Sequence, residues 1–345
     1  MVFCGCVTTT TQDINVTDNN PFKRFMVIGH EAFFVMLYFT SNQLMIPRFK
    51  IEVSMQIFDN IKKFMMKSCV GLGLLMVVSL SAHAEWRWTR SSAQTWAYGT
   101  DPLQQLDVYL PTARSSQQRP ILVLVHGGGW RMGDKSHRAV VKQKVAYWRD
   151  QRGFVVVSIN YRLLPTPVDA QLRDVAQALR YVQQHAVNWG ADAQQLILMG
   201  HSAGAHLVSL LSTQPVWLPV VDQPQQWRMS IVLDSAGYDL VKLMSQPHLR
   251  LYDQAFGRER EYWVKLSPIH QIHQRVAPLL LVCSSRRADQ PCEQATQFAE
   301  QAKRWGSRVQ VQSVDLSHRQ INQQLGDESG YSQAVVQWID QQLAP

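Results

Sequence analysis

Residues 200–204, Gly-His-Ser-Ala-Gly, carry the most specific chemical pattern in the sequence. They stand between an apolar, strand-like run and a helix-like run that begins at Ala203. A strand that turns at once into a helix holds the central residue in a strained conformation, and the flanking glycines let strand and helix approach closely. The Ser202 hydroxyl is then exposed at a helix N-terminus, where developing negative charge is stabilised. The pattern predicts that Ser202 is a nucleophile.

A second glycine-rich pattern, His-Gly-Gly-Gly-Trp at 126–130, directly follows a short apolar run. Residues without side chains let backbone N–H groups face an incoming carbonyl oxygen, and each such donor contributes roughly 3 kcal/mol to acyl transfer. We therefore expect an oxyanion hole formed by the N–H groups of Gly128, Gly129 and Ala203, with Trp130 at the substrate pocket. The alternatives are a flexible turn and a phosphate-binding loop, but the Lys and Ser/Thr of a P-loop are missing.

A serine nucleophile needs a base that takes its proton and an acid that orients the base. In open α/β sheets, functional residues follow the carboxyl ends of the strands. The loop after the apolar run 279–283 contains a single carboxylate, Asp289, and the loop after the run 309–314 contains a single imidazole, His318. We predict that His318 is the base and Asp289 the acid.

Other carboxylates compete with Asp289 for the role of acid. Asp315 lies near the same predicted edge of the sheet, and Glu293 is only four residues further along the chain. Asp234 also follows a strand-like run, but it precedes a long irregular segment, and we interpret it as structural.

These residues require a scaffold, and the sequence from 85 to 345 alternates short apolar runs with longer amphipathic runs. Such alternation predicts an α/β fold with a mostly parallel central sheet and helices on both faces. The predicted strands are 106–110, 121–125, 154–160, 196–199, 231–233, 279–283 and 309–314. The predicted helices are 170–185, 203–211, 292–305 and 331–343. The less regular stretch at about 235–275 predicts a small cap over the sheet edge.

The N-terminal part of the chain has a different pattern. Residues 65–84 combine a positive Lys67, an apolar run at 70–80 and an Ala-His-Ala site, as a cleaved secretory signal peptide does. The apolar run is shorter than the roughly 20 residues that span a bilayer. We expect residues 1–64 to be an over-extended N-terminus and residues 85–345 to form one catalytic domain.

A membrane anchor at 25–46 is the alternative for the N-terminus, although Glu31 and Asn42 interrupt its apolar character. The signal peptide instead predicts a periplasmic or secreted protein with no stable membrane anchor after cleavage. In such a compartment Cys283 and Cys292, the two cysteines that follow the signal peptide, can form one disulfide.

The composition excludes several classes of protein. Of the 345 residues, 46% are hydrophobic and 17% are charged, unlike a disordered, collagen-like or coiled-coil chain. The formal net charge is +8, but the basic residues are scattered, so we predict no nucleic-acid partner. The cysteines after the signal peptide lack the spacing of a zinc site, and we predict no metal.

Several separated stretches resemble the α/β-hydrolase superfamily, in particular the hormone-sensitive-lipase-like branch of carboxylesterases that includes feruloyl-esterase-like and arylformamidase-like enzymes. The matching stretches are LDVYLP at 106–111, HGGGW at 126–130, INYRL at 159–163, GHSAGAH at 200–206, SPI at 267–269 and the loop that bears His318. The resemblance implies the α/β-hydrolase fold, a triad of Ser202, Asp289 and His318, and an oxyanion hole at the HGGG loop. The loop CSSRRADQPC at 283–292 departs from the short glycine-bearing turn typical of these enzymes.

The resemblance also implies a reaction. We expect a serine hydrolase that cleaves small-molecule carboxylic esters through an acyl-enzyme intermediate, without a metal or an organic cofactor. An arylformamidase-like amidase would use the same residues, and a non-catalytic binding protein on the same scaffold would have lost some of them. The sequence leaves the natural substrate and the oligomeric state open.

Overall fold

The computed structural model describes residues 25–30, 33–38, 93–113, 115–213 and 227–344. The chain divides into two compact units, Met1–Ser79 and Leu80–Pro345. The predicted signal peptide, residues 65–84, lies outside the described residues, as does most of the predicted over-extended N-terminus.

In the first unit, two short strands, Phe25–His30 (β1) and Phe33–Tyr38 (β2), pair in antiparallel orientation. These strands fall within 25–46, the region considered as a membrane anchor. Across the described residues, we find no helix that has both the length and the apolar character needed to cross a membrane.

The second unit contains an eight-stranded sheet. Its strands are Ala93–Ala97 (β3), Gln105–Tyr109 (β4), Arg119–Val125 (β5), Val155–Ile159 (β6), Ala191–His201 (β7), Met229–Leu233 (β8), Leu279–Ser284 (β9) and Val309–Val314 (β10). Their order across the sheet is β10-β9-β8-β7-β5-β6-β4-β3. The pairs β3 with β4 and β4 with β6 are antiparallel, and every other pair is parallel.

Helices follow most of the strands. They are Arg138–Lys144 (α1), Val168–His185 (α2), Ala203–Thr213 (α3), Leu240–Met244 (α4), Arg250–Phe256 (α5), Arg260–Lys265 (α6), Pro268–Gln271 (α7), Pro291–Arg304 (α8), His318–Gln324 (α9) and Gly330–Leu343 (α10). A π-helical turn, Val145–Gln151, continues α1, and a 3-10 turn, Val187–Trp189, follows α2.

The central strand β5 shows why helices lie on both faces of the sheet. Successive side chains of a strand point to opposite faces. Val123 is buried in one hydrophobic core together with residues of α2, α3 and α8. Leu122 and Leu124 are buried in a second core with residues of α1, α9 and α10. Both faces of the sheet are therefore apolar and covered, which is the architecture that the sequence predicts.

Four short helices, α4 to α7, connect β8 to β9 and fall within the predicted cap at 235–275. They are anchored by apolar side chains, because Leu240, Phe256 and Leu266 are all buried in the core that contains α3. This helical segment therefore packs against the same face of the sheet as the helix that follows Ser202.

The parallel strands all end at the same edge of the sheet. The residues that leave this edge are the HGGG loop after β5, Ser202 after β7, Asp234 after β8, the loop 285–290 after β9 and His318 after β10. This edge is where an open α/β sheet binds its ligands.

Candidate active site

Ser202 is the single residue between β7, which ends at His201, and α3, which begins at Ala203. Its φ of 57° lies in the left-handed region that favours glycine, so the backbone is strained there. The flanking glycines are needed for close packing. A β-carbon at Gly200 would lie 2.3 Å from the Gly204 carbonyl oxygen, and one at Gly204 would lie 2.3 Å from the Val125 oxygen.

The HGGG loop lies directly beside the serine. A β-carbon at Gly127 would lie 2.9 Å from the Ser202 β-carbon, so no larger residue fits at this position. Gly128 and Gly129 both have positive φ, at 128° and 60°. Among the backbone hydrogen bonds of the described residues, none is donated by the N–H groups of Gly128, Gly129 or Ala203. Gly128 and Gly129 therefore have the unpaired backbone donors that the sequence predicts for an oxyanion hole.

His318 is the first residue of α9, whose N-terminus is capped by Ser317 and Gln320. Its Nδ1 lies 2.6 Å from Oδ2 of Asp234. Since an ionised carboxylate only accepts hydrogen bonds, Nδ1 carries the proton and Nε2 is left to accept one. In this tautomer His318 has the arrangement of a general base oriented by an acid.

The Asp234 carboxylate is completely buried and has three donors. Its Oδ1 accepts a hydrogen bond from the Ser284 N–H at 2.8 Å, and its Oδ2 accepts from Arg287 Nη1 at 2.9 Å in addition to His318. Burial by itself raises the pKa of Asp234, but the hydrogen bond from His318 and the charge of Arg287 outweigh it, so the pKa lies below its ordinary value. Asp234 is therefore ionised and able to stabilise a protonated His318.

The structure does not bring Asp289 to His318, so the predicted pairing of these two residues is wrong. The Asp289 carboxylate is 46% exposed and accepts a hydrogen bond from Arg287 Nε at 2.9 Å. The physical reason is the course of the loop after β9, which directs Arg287 inward to Asp234 and leaves Asp289 on the outer side of that arginine. The alternatives are also elsewhere: Asp315 binds Arg286 on the surface, and Glu293 pairs with Lys242.

Asp234 is the carboxylate that lies beside His318, and the sequence contains a signal that favours it over Asp289. Asp234 is the first residue after β8, whereas Asp289 lies five residues beyond Ser284, the last residue of β9. Asp234 also has a φ of 58°, as Ser202 does. A carboxylate that directly follows a strand in the sequence is therefore a better candidate for the partner of His318 than one further along a loop.

His201 connects the serine to the histidine. Its ring lies 4.4 Å from the His318 ring, centroid to centroid, and its Nε2 donates a hydrogen bond to the His318 carbonyl oxygen at 2.9 Å. Burial and the neighbouring His318 lower the pKa of His201 to about 3, which keeps the ring neutral. The Ser202 hydroxyl itself forms no hydrogen bond within the part of the chain that the structure describes. In unliganded enzymes, catalytic hydrogen bonds of this kind often tighten only when substrate binds.

Trp130 does not form an open wall of the site. Its side chain is only 4% exposed and packs edge-on against Phe256 of α5 at 4.8 Å and His206 of α3 at 5.5 Å. Leu251, which also belongs to α5, lies so close to Gly129 that a β-carbon at that glycine would be 2.9 Å from Leu251 Cδ2. The HGGG loop is thus held between the sheet and α5.

Comparisons with known proteins agree with this fold. The chain is 25% identical to isoprenylcysteine alpha-carbonyl methylesterase ICME of Arabidopsis thaliana over 266 residues, which are 72% of this chain and 61% of that protein. The chain therefore spans less than two thirds of that relative's length. It is also 28% identical to a kynurenine formamidase of Danio rerio over 242 residues, 67% of this chain and 76% of that protein.

Among solved structures, esterase 2 of Thermogutta terrifontis, phosphoramylated by tabun, is similar to this chain with a TM-score of 0.59 at 24% identity. The similarity covers 73% of this chain and 93% of that one. At this level of identity the likeness concerns the fold, and it confirms the α/β-hydrolase fold expected from the sequence. The family model described as BD-FAE matches residues 106–302, more than half of the chain. The chain therefore belongs to the BD-FAE family and has the α/β-hydrolase fold.

Proposed function

We propose that the protein is a serine esterase that hydrolyses small-molecule carboxylic esters, with Ser202 as nucleophile, His318 as base and Asp234 as the orienting acid. The observation that carries the proposal is the 2.6 Å hydrogen bond between His318 Nδ1 and the buried Asp234. This pair stands beside a strained serine and a loop of unpaired backbone donors. Esterases among the similar proteins support ester hydrolysis as the reaction.

The reaction follows from these positions. Ser202 Oγ attacks the ester carbonyl carbon while its proton passes to His318 Nε2, and Asp234 stabilises the resulting imidazolium. The carbonyl oxygen becomes an oxyanion, which accepts hydrogen bonds from the N–H groups of Gly128, Gly129 and Ala203. The intermediate collapses, the C–O bond to the alcohol breaks, and the leaving alcohol takes the proton from Nε2.

An acyl ester on Ser202 remains after this step. Water then attacks the acyl carbon, His318 takes a proton from the water, and a second oxyanion forms in the same hole. Its collapse returns the proton to Ser202 Oγ and releases the carboxylic acid. Every proton in the cycle is carried by His318, and no metal or organic cofactor takes part.

The test is hydrolysis of a series of short p-nitrophenyl esters by the full chain and by the Ser202→Ala variant. We expect the variant to lose about 10⁴-fold or more in kcat/KM, because it lacks the nucleophile. Ester hydrolysis that survives in a folded Ser202→Ala variant would rule the proposal out.

An amidase is the second candidate, and the similarity to a kynurenine formamidase favours it. The same serine, base and oxyanion donors hydrolyse an amide when the pocket fits one. An N-formyl anilide tested beside the esters distinguishes the two reactions. A higher kcat/KM for the anilide than for every ester in the series would assign the protein as an amidase.

We further propose that the protein works in an oxidising compartment, as the signal peptide pattern at 65–84 predicts. A disulfide between Cys283 and Cys292 supports this, because such bonds persist outside the reducing cytosol. Expression of the full chain followed by N-terminal sequencing tests the proposal. We expect a mature chain that begins at Glu85.

A further inference from the structure

We propose that Arg287 is a positioning residue whose charge, partly compensated by Asp289, sets the lower end of the pH range in which the protein is active. The inference rests on the proposed function and goes beyond it. Arg287 reaches the acid–base pair from the loop after β9, whereas Asp289 binds Arg287 from the outside.

The geometry puts a permanent positive charge against the acid–base pair. Arg287 Nη1 lies 2.9 Å from Asp234 Oδ2, 3.1 Å from the Asp234 carbonyl oxygen and 3.1 Å from His318 Nδ1. Both Nη1 and the Nδ1–H group are donors, so they do not bond to each other but share the Oδ2 atom. The imidazole that must become positively charged during catalysis therefore has a guanidinium within van der Waals distance.

Asp289 compensates part of this charge. Its two oxygens accept hydrogen bonds from Nε and Nη2 of Arg287, in the bidentate geometry of an arginine–carboxylate pair. Because the Arg287 side chain is only 20% exposed, solvent screens its charge incompletely. Asp289 is 46% exposed and so compensates the guanidinium only in part.

The loop that carries these two residues is held at both ends. Cys283 and Cys292 are joined by a disulfide, and the N–H group of Ser284 donates to Asp234 Oδ1 at 2.8 Å. The loop that carries the guanidinium is therefore tethered at both ends, by a covalent bond and by a hydrogen bond to Asp234.

The other groups around His318 have to be considered for any pH effect. His318 itself contacts Asp234, Arg287 and His201. The groups that interact electrostatically with these partners are Asp289, Lys144, Tyr238, Tyr252 and Tyr331, and Asp315 and Arg319 lie on the segment of His318 itself. The three tyrosines are neutral because burial raises the pKa of each. Burial lowers the pKa of Lys144 to about 7, but this residue stays unchanged in every variant below, so it does not contribute to differences between them.

The sign of the effect distinguishes Arg287 from Asp289. Removal of the Arg287 charge removes a repulsion that disfavours the imidazolium form, so activity at low pH falls. Removal of the Asp289 charge leaves the guanidinium uncompensated, so the imidazolium is disfavoured and activity extends to lower pH. A merely structural role of this loop would not produce opposite displacements.

The experiment is the pH profile of kcat/KM for a p-nitrophenyl ester, measured with the full chain and its variants. For Arg287→Gln we expect the acid limb to move up by about one pH unit, and for Asp289→Asn to move down by about half a unit. Arg287→Lys keeps the charge, so its acid limb should stay with the wild type while kcat falls through poorer positioning of Asp234. Arg286→Gln is the matched control, because Arg286 forms an equivalent pair with Asp315 on the surface, and its limb should not move.

The inference would be overturned if the acid limbs of Arg287→Gln and Asp289→Asn moved in the same direction, or if neither of them moved. If Arg287→Gln fails to fold, the downward shift in Asp289→Asn and the unshifted limb of Arg287→Lys still decide the question. Ser202→Ala separates this inference from the proposed function: retained activity in that variant rejects the function itself, whereas lost activity with unshifted limbs rejects only the role of Arg287.

Discussion

Asp234 and Asp289 follow adjacent parallel strands at the same edge of the sheet, yet their surroundings are opposite. Asp234 comes directly after β8, its side chain is buried, and it accepts hydrogen bonds from His318, Arg287 and the Ser284 N–H. Asp289 lies further along a surface loop, is 46% exposed, and its carboxylate binds Arg287. Asp234, the first residue after a buried strand, thus contacts His318 directly. Asp289, which lies further along its loop, contacts Arg287 instead.

The largest expected effect is on activity. Replacement Asp234→Asn should lower kcat/KM by about 10³- to 10⁴-fold, because His318 loses its orienting acid and its correct tautomer. Replacement Asp289→Asn should cost less than about tenfold at pH 8. Parallel assays of the two purified variants measure the contrast, and a greater loss in Asp289→Asn would reverse the assignment of the acid.

The second largest effect is expected on stability, from removal of the disulfide that closes the loop after β9. Removing a bridge with a sequence separation of 9 should lower the free energy of unfolding by about 2–3 kcal/mol, through greater entropy of the unfolded chain. Denaturant unfolding of the Cys283→Ala/Cys292→Ala double variant measures this. Ester hydrolysis should also decrease, as Arg287 is held less firmly. A double variant with unchanged stability and activity would show that the loop does not need its closure.

Acid sensitivity of folding sharpens the comparison further. The pKa of Asp234 is below its ordinary value in the folded protein, so its ionised form contributes stability that is present above about pH 4 and lost as the pH falls through the folded-state pKa. Where one proton is taken up on unfolding, the free energy of unfolding decreases by about 1.4 kcal/mol for each unit by which the pH is lowered. Urea unfolding at pH 2.5 to 4.5 should show a shallower dependence in Asp234→Asn than in the wild type. The dependence in Asp289→Asn should be the steeper of the two variants, and the reverse order would contradict the burial argument.

The smallest effect is expected at Asp315, the third carboxylate of this edge. It binds Arg286 on the surface, with 80% of its side chain exposed. Asp315→Asn should therefore change kcat/KM by less than about twofold and leave the pH profile where it is. A loss comparable to that of Asp234→Asn would mean that proximity to His318 in sequence matters more than the hydrogen bond.

Local patterns in the sequence predict most of the sheet and the residues closest to the nucleophile. Each predicted strand overlaps an observed one, and the turn at Ser202 is fully specified by two glycines and the strand and helix around them. Strand β3 is missed because four of its five residues are exposed, and α9 because its seven residues are mostly polar. In both cases the hydrophobic pattern that identifies an element is absent.

The acid is missed for a different reason. Asp234 and His318 are separated by 84 residues, and their hydrogen bond depends on how the ends of β8, β9 and β10 are aligned across the sheet. Between β8 and β9, Leu233 pairs with Val282, and the Asp234 N–H donates to the Val282 carbonyl oxygen. Sequence gives the order of carboxylates along the chain, but the direction of each side chain is decided by contacts of this kind.

The packing of α5 against the HGGG loop connects two segments that are far apart in sequence. Phe256 is in contact with Trp130, and Leu251 covers Gly129, so the helix that covers the loop is also the support of the predicted oxyanion donors. The HGGG loop and the helical segment after β8 therefore share one packing contact, and a substitution that shortens Leu251 or Phe256 is expected to loosen the loop as well as the helix.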